Sequence, residues 1–170
     1  MNKRYNIAVV GATGSVGMEV IKILQQRNFP VKNVYAIASN KSIGKKIEFL
    51  ETSIYVDELE RFDFTDIDII FTCADSKVTS ALFDMVKGKS KIIIDKSSLF
   101  RLNSSVPLIV PEVNIREMSK YENLGVVASP NCCVIPLVMT LKPLGAIGKI
   151  KKVVVSTYPV SYTHLTLPTN

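Results

Sequence analysis

Tyr5-Asn6-Ile7-Ala8-Val9-Val10-Gly11-Ala12-Thr13-Gly14-Ser15-Val16-Gly17 joins a short apolar run to a glycine-spaced loop, and an amphipathic stretch follows at once. Tyr5 to Val10 reads as a buried strand. Gly14 to Arg27 reads as a helix, with Val16, Val20, Ile21, Ile23 and Leu24 as its apolar stripe. The loop between them has the pattern G-x-x-G-x-x-G at Gly11, Gly14 and Gly17, a variant of the dinucleotide fingerprint with the middle spacing altered. Glycines there permit a tight turn and let backbone N–H groups at a helix start approach phosphate. An ordinary strand-to-helix turn also uses glycine for positive φ. The strand–loop–helix order is what favours nucleotide binding.

Working outward, the same alternation repeats. Asn33 to Ala38 reads as a second strand. Lys41 to Asp63 holds short strand-like pieces and an acidic run. Ile67 to Thr72 reads as a strand, Ser76 to Val86 as a helix and Ile92 to Asp95 as another strand. Ser97 to Asn114 is irregular, because Pro107 and Pro111 limit regular structure. Gly125 to Ala128 reads as a strand and Asn131 to about Leu144 as a helix, with Pro136 near its start and Pro143 ending it. Lys151 to Tyr158 opens a further strand. Near-continuously apolar strands alternating with helices imply an α/β fold, a Rossmann-like doubly wound parallel sheet covered on both faces. The boundary falls near residues 128–131. Residues 1–130 then form the nucleotide-binding domain, 131–158 the start of a truncated second domain for catalysis and dimerisation, and 159–170 an anomalous tail.

The bulk numbers exclude several classes. The chain has 170 residues, 47% of them hydrophobic and 21% charged, enough for a real core. Three cysteines, two adjacent, give no disulfide framework. One histidine and no Cys-x-x-Cys argue against a metal site. Neither a signal peptide nor a membrane-length apolar run is present, so a cytoplasmic setting is expected, which suits a free thiol. The net charge of +6 comes from scattered lysines without interleaved aromatics, so no nucleic-acid platform is expected. A solvated surface explains most of that excess, and an anionic small-molecule substrate part of it.

Three further stretches carry chemistry. Ala38-Ser39-Asn40-Lys41-Ser42 follows the second strand, where an acidic residue would hold the ribose 2′-OH of NAD. Ser39, Lys41 and their neighbours suit a 2′-phosphate instead, which favours NADP(H) over a merely solvated turn. Ile92-Ile93-Ile94-Asp95-Lys96-Ser97-Ser98-Leu99-Phe100-Arg101 puts two serines and an arginine past a strand end, where open α/β sheets bind ligands. Arg101 can fork onto a carboxylate or phosphate, or simply form a surface ion pair. Ser129-Pro130-Asn131-Cys132-Cys133 places Cys132 at what reads as the first turn of a helix, a position that favours thiolate. A cysteine in an apolar segment is equally read as an inert core residue, and Cys133 and Cys73 suit that role.

Taken together, Gly11 to Gly17, Ile94 to Arg101, Val106-Pro107-Leu108-Ile109-Val110-Pro111-Glu112-Val113-Asn114 and Ser129 to Cys132 resemble aspartate-semialdehyde dehydrogenase of the bacterial type, in order and spacing, over residues 4 to about 158. The resemblance implies NADP held by Thr13, Gly14, Ser15 and Val16, with Lys41 and Ser42 near the 2′-phosphate. It implies Arg101, with Asn131 nearby, at the substrate phosphate, and Cys132 as nucleophile. The implied reaction is NADPH-dependent reductive dephosphorylation of L-aspartyl-4-phosphate to aspartate semialdehyde through a cysteine thioester, on the route to lysine, threonine, methionine, isoleucine and diaminopimelate. Family members are about twice this length and dimeric, and their second half carries the acid/base histidine, so this chain is expected to be inactive alone. Pro159 stands where the family has a glutamine, residues 159–170 read as foreign sequence, and His164 in that tail is not given the catalytic role. Cys133 replaces the family's small hydroxyl residue. The sister reaction on N-acetyl-γ-glutamyl phosphate is disfavoured by Asn131 and Cys133, since that family reads Asn-Pro-Gly-Cys-Tyr. A nucleotide-binding module with a buried, unreactive Cys132 is the non-catalytic alternative.

Overall fold

The chain is described by a computed structural model that covers residues 3–89 and 91–157. Residues 159–170, with His164 and Pro159, lie outside the described residues. The first strand, β1 (Tyr5–Val10), is flanked on one side by β2 (Val31–Ala38) and on the other by β5 (Ile69–Thr72), both parallel to it. The full sheet has the order β3-β4-β2-β1-β5-β6-β7, with β3 (Lys46–Phe49), β4 (Thr52–Glu58), β6 (Ile92–Asp95) and β7 (Val126–Ala128). Only the edge hairpin β3–β4 is antiparallel. Its presence resolves the unclear 41–63 stretch: Lys46, Glu48, Ser53 and Tyr55 form its pairs beside Ile47 and Ile54.

Helices α1 (Ser15–Gln26) and α2 (Ser76–Val86) match their predicted positions. They cover opposite faces. One core gathers Ile7, Val9, Ile21 and Leu24; the other gathers Ala8, Val10, Ile70, Leu82 and Val86. The α1 stripe is narrower than its sequence suggests. Ile21, Leu24 and Gly17 are buried, whereas Val16 and Ile23 are exposed, because the helix lies so close to the strand loop that Gly17 is the contact. A β-carbon on Gly17 would sit 2.3 Å from the Gly11 carbonyl oxygen and 2.8 Å from Ala12 Cα. Asp75 caps α2, its side chain accepting the Val78 N–H at 2.9 Å.

After β6 the chain is irregular through Val110, as its prolines predict, but it is pinned. The Ile109 N–H donates to the Ala128 carbonyl at 2.9 Å, and Val106, Ile109 and Val110 are buried. A short helix α3 (Pro111–Asn114) and a 3-10 stretch (Ile115–Asn123) then lead into β7. The 3-10 stretch has no residue buried, and its sequence is largely charged and polar.

Three boundaries differ from expectation. Helix α4 spans Val134–Ile147, starting three residues late and passing through Pro143. Proline removes the bond to the Met139 carbonyl, at a residue that is exposed and so open to solvent. The strand expected from Lys151 is absent through residue 157, where Val153, Val154 and Val155 are exposed. A strand requires a neighbour for its N–H and C=O groups, and this segment has none among the described residues. Helix α4 has no buried residue, so Val134, Leu137, Val138 and Leu141 are at best half-covered. Its tether is Lys142, whose ammonium donates to the carbonyls of Glu112 (2.9 Å) and Val113.

Two outcomes are expected. Gly17→Ala should cost about 1–3 kcal/mol in urea unfolding, the range for overpacking, because backbone stands where the methyl must go. Gly14→Ala, with its nearest neighbour at 3.4 Å, should cost much less. The double change Leu137→Lys/Leu141→Lys should shift sedimentation velocity profiles of the 170-residue chain toward monomer without lowering its unfolding midpoint, since both side chains lie outside the core.

Candidate active site

The carboxyl ends of the parallel strands define one edge of the sheet, and every predicted site residue lies along it. At its centre the chain leaves β1 through Gly11, with φ +82°. A β-carbon there would come within 2.8 Å of the Cys73 backbone carbonyl at the end of β5. Glycine is therefore required twice over, by conformation and by room. Gly11 and Ala12 N–H groups donate to the Ile37 carbonyl (2.8 and 3.1 Å), which fastens the loop to β2. Gly14 is the cap of α1 and offers no side-chain oxygen to the helix, so the first N–H groups of α1, at Ser15 and Val16, remain open donors. The positive helix end and these donors fit an anion.

Beside this loop lies a cavity of about 380 Å³ lined by Gly11, Thr13, Ser39, Asn40, Leu59 and Ala74, among others. Gly11, Thr13 and Ser39 thus meet in one space. Thr13 Oγ1 donates to Ser42 Oγ at 3.5 Å, tying the first loop to the 3-10 turn Asn40–Ser42. Ser42 is buried and Lys41 exposed. The sequence reading missed that Glu58 and Glu60 reach the same cavity from the end of β4. Glu58 is paired with Arg61 at 3.0 Å. Only the strand order reveals them, because β4 neighbours β2 across a hairpin that the sequence left unresolved. The glycine cradle and the open N–H groups fit the phosphates of a dinucleotide.

The other half of the edge is built from the ends of β6 and β7. Asp95 is fully buried; its carboxylate accepts from Thr72 Oγ1 (2.6 Å), the Ser97 N–H (2.8 Å) and Ser97 Oγ (3.0 Å). Ser97 Oγ in turn accepts the Leu99 N–H at 3.1 Å, and Phe100 packs edge-on against Phe83 of α2 with ring centroids 5.2 Å apart. That anchored turn sends Arg101 back toward β7. Its Nε donates to the Ser129 carbonyl and its Nη2 to the Lys96 carbonyl, both at 3.0 Å. Arg101 is thus no surface ion-pair partner. Lys96 Nζ donates to Ser129 Oγ at 3.2 Å. Asp95, Lys96 and Ser129 were not singled out by sequence; their signal was their place just past strand ends.

Cys132 is exposed and precedes α4 rather than opening it. The reason is Asn131. Its Oδ1 accepts the Cys133 N–H at 2.9 Å and the Cys132 thiol at 3.8 Å, and its carbonyl accepts the Val134 N–H at 2.9 Å. The Asn131 carbonyl also accepts the Ile135 N–H at 3.3 Å, so Asn131 caps the turn that leads into α4, and Cys132 sits in that turn just ahead of Val134. The two sulfurs are 4.0 Å apart, and the hydrogen bond with Cys132 pushes the Cys133 thiol above its ordinary pKa. Cys73, by contrast, is largely buried, and desolvation pushes its pKa up to about 11, against the pull of the Lys96 charge. Asn131 and Arg101 share no hydrogen bond among the described residues; Ser129 stands between them. Three inter-strand spacings, about 14 Å, separate the glycine loop on β1 from the cysteine loop on β7. Among the described residues no cluster of metal-binding side chains exists, and no helix is long and apolar enough to cross a membrane.

The profile of the semialdehyde dehydrogenase NAD-binding domain matches residues 6–121. An aspartate-semialdehyde dehydrogenase of Rickettsia conorii is 49% identical over 158 residues, which is 93% of this chain and 47% of that protein. One of Campylobacter jejuni is 39% identical over 160 residues, 93% of this chain and 47% of that protein. Among solved structures, aspartate semialdehyde dehydrogenase II of Vibrio cholerae complexed with ASA superposes with a TM-score of 0.82 at 33% identity, over 85% of this chain and 47% of that one. The Candida albicans enzyme with NADP gives 0.71 at 26% identity, over 85% and 48%. The chain spans about half the length of the curated relatives it matches. With more than half its length matched by that profile, and with the glycine loop and sheet order that the profile's name requires, the chain belongs to the semialdehyde dehydrogenase family.

Proposed function

We propose that the chain is the nucleotide-binding, thiol-bearing half of an aspartate-semialdehyde dehydrogenase that uses NADP(H), acting in amino-acid biosynthesis as a cytoplasmic homodimer in its whole form. The observation that carries this reading is the single edge shared by the glycine cradle at Gly11 and the exposed thiol of Cys132. The relatives' shared name supports the reaction. The NADP of the Candida albicans structure supports the cofactor.

In this reading Gly11, Thr13, Gly14, Ser15 and Val16 hold the dinucleotide phosphates, and Ser39, Lys41 and Ser42 face the 2′-phosphate. Arg101, with Asn131 nearby, receives the substrate phosphate. The Cys132 sulfur attacks the acyl carbon of L-aspartyl-4-phosphate; the C–S bond forms, the C–O bond to phosphate breaks, and phosphate leaves with the electron pair. Bound NADPH supplies the hydride that reduces the resulting thioester to the semialdehyde, releasing the thiolate. Capturing the acyl group on sulfur divides one hard reduction into two easier steps. Turnover requires the remainder of the protein, so the 170-residue chain should bind nucleotide and alkylate at Cys132 without producing semialdehyde.

Calorimetric titration of the chain with NADPH and NADH tests the cofactor assignment. Tighter binding of NADPH is expected, and Lys41→Met should weaken NADPH about tenfold while leaving NADH unchanged. Preference for NADH would instead assign Glu60 to the ribose and overturn the 2′-phosphate reading.

The thiols should sort by environment. At pH 8 iodoacetamide should modify Cys132 first, Cys133 more slowly, and Cys73 only after unfolding, as read by peptide mass spectrometry. The raised pKa of Cys73 has a stability sign. The native state favours its neutral thiol, so that contribution is full below the ordinary value of 9.0 and is lost as pH rises through about 11. Cys73→Ala should therefore flatten the alkaline limb of the stability profile; an unchanged limb would refute the assignment.

A further inference from the structure

We propose that Lys96 is a second cation of the substrate-phosphate pocket, acting with Arg101 on the anion that departs when Cys132 is acylated. The inference rests on the reading of Cys132 as nucleophile toward an acyl phosphate and assigns a binding residue to it.

Three observations converge. First, Lys96 is held in place by its own backbone: its N–H donates to the Thr72 carbonyl at 3.0 Å, directly after β6. Second, both cations close on one residue. Lys96 Nζ reaches Ser129 Oγ at 3.2 Å while Arg101 Nε reaches the Ser129 carbonyl at 3.0 Å, and Arg101 Nη2 binds the Lys96 carbonyl. The Ser129 N–H is itself fixed on the Asp95 carbonyl at 2.8 Å. Ser129 stands three residues before Cys132, so two positive charges are locked to the loop that carries the thiol. Third, neither charge is neutralised. Among the described residues no carboxylate lies within 4 Å of either cation. The neighbouring Asp95 carboxylate is buried and spent on Thr72 and Ser97.

Donor counting gives the consequence. An ammonium has three N–H donors and Ser129 takes one; a guanidinium has five and the two carbonyls take two. The remainder suits a phosphoryl group, which offers three acceptor oxygens and gains charge as its bond to the acyl carbon breaks. Arginine supplies the fork, and lysine a point charge beside it. The place also fits: Lys96 lies on the rim between Cys73, after β5, and Ser129, after β7, and its charge is felt at the Cys73 thiol.

The test compares alkylation of Cys132 by an anion, iodoacetate, and by its neutral counterpart, iodoacetamide, on the 170-residue chain at fixed pH. Thiolate content affects both rates alike, so their ratio reads the positive potential beside the sulfur. Lys96→Met should lower the iodoacetate-to-iodoacetamide ratio about two- to fivefold at low salt, the scale on which one nearby unit charge acts through water. Lys96→Arg should keep the ratio. Millimolar inorganic phosphate should slow iodoacetate in the wild-type chain and lose that effect in Lys96→Met. An unchanged ratio in Lys96→Met would overturn the proposal while leaving the nucleophile reading intact. A wild-type Cys132 inert to iodoacetamide would overturn both. Were Lys96→Met to lose its native circular dichroism, the wild-type chain alone decides, because iodoacetate rates indifferent to phosphate refute the pocket.

Discussion

β1 has no face left for water. Ile7, Ala8, Val9 and Val10 are each at most 1% exposed, two toward the α1 core and two toward the α2 core. That constraint orders the rest. A strand buried on both faces must satisfy its backbone on both edges, so β2 and β5 flank it. Parallel neighbours require crossovers, and crossovers place helices on both faces of the sheet. Every loop that leaves the carboxyl end of a parallel strand then opens on the same side. The glycine loop, the Lys41 turn, the Arg101 loop and the cysteine loop are brought to one edge by burial, with no attraction among themselves needed.

Within that edge a line of short-range contacts runs from the nucleotide side to the thiol side. The Gly11 turn rests on the backbone of Cys73 at a separation that admits no β-carbon. Thr72, one residue earlier, donates to Asp95; Asp95 accepts from Ser97 and, through its carbonyl, binds the Ser129 N–H. Each hydrogen bond contributes about 1 kcal/mol net, but a buried carboxylate that lost one would cost more than the bond gave. The line therefore resists partial disruption. Thr72, Asp95, Ser97 and Ser129 hold the Gly11 turn and the cysteine loop in register across β5 and β6.

The strands and first two helices were legible because their signals are local. The 3.6-residue pattern of α1 and the apolar runs of β1, β5 and β6 each fit inside a dozen residues. The β3–β4 hairpin was not, since Lys46, Glu48, Ser53 and Tyr55 interrupt the apolar pattern on an edge where one side meets water. The end of α4 was misplaced by weighting Pro143 as a stop, when Met139, the residue that loses its donor, is exposed. The candidate site was legible in its residues and not in their links. Thr13 and Ser42, 29 positions apart, and Arg101 and Ser129, 28 apart, touch only because of the strand order. Lys96, Glu58 and Glu60 went unseen for the same reason.

The position of Cys132 changes the account of its reactivity. A thiol in the first turn of a helix draws on open N–H groups and the positive helix end, and both effects fade within a turn. Asn131 takes the Cys133 N–H on its side-chain oxygen and the Val134 and Ile135 N–H groups on its carbonyl, so those donors are already occupied rather than aimed at the sulfur. Rotating the Asn131 amide would present its NH₂ group to sulfur but would give up the 2.9 Å bond from the Cys133 N–H that shapes the turn. The turn therefore holds the Cys132 sulfur in a fixed, exposed place. An α4 with every residue exposed or half-covered leaves the surface around this loop open.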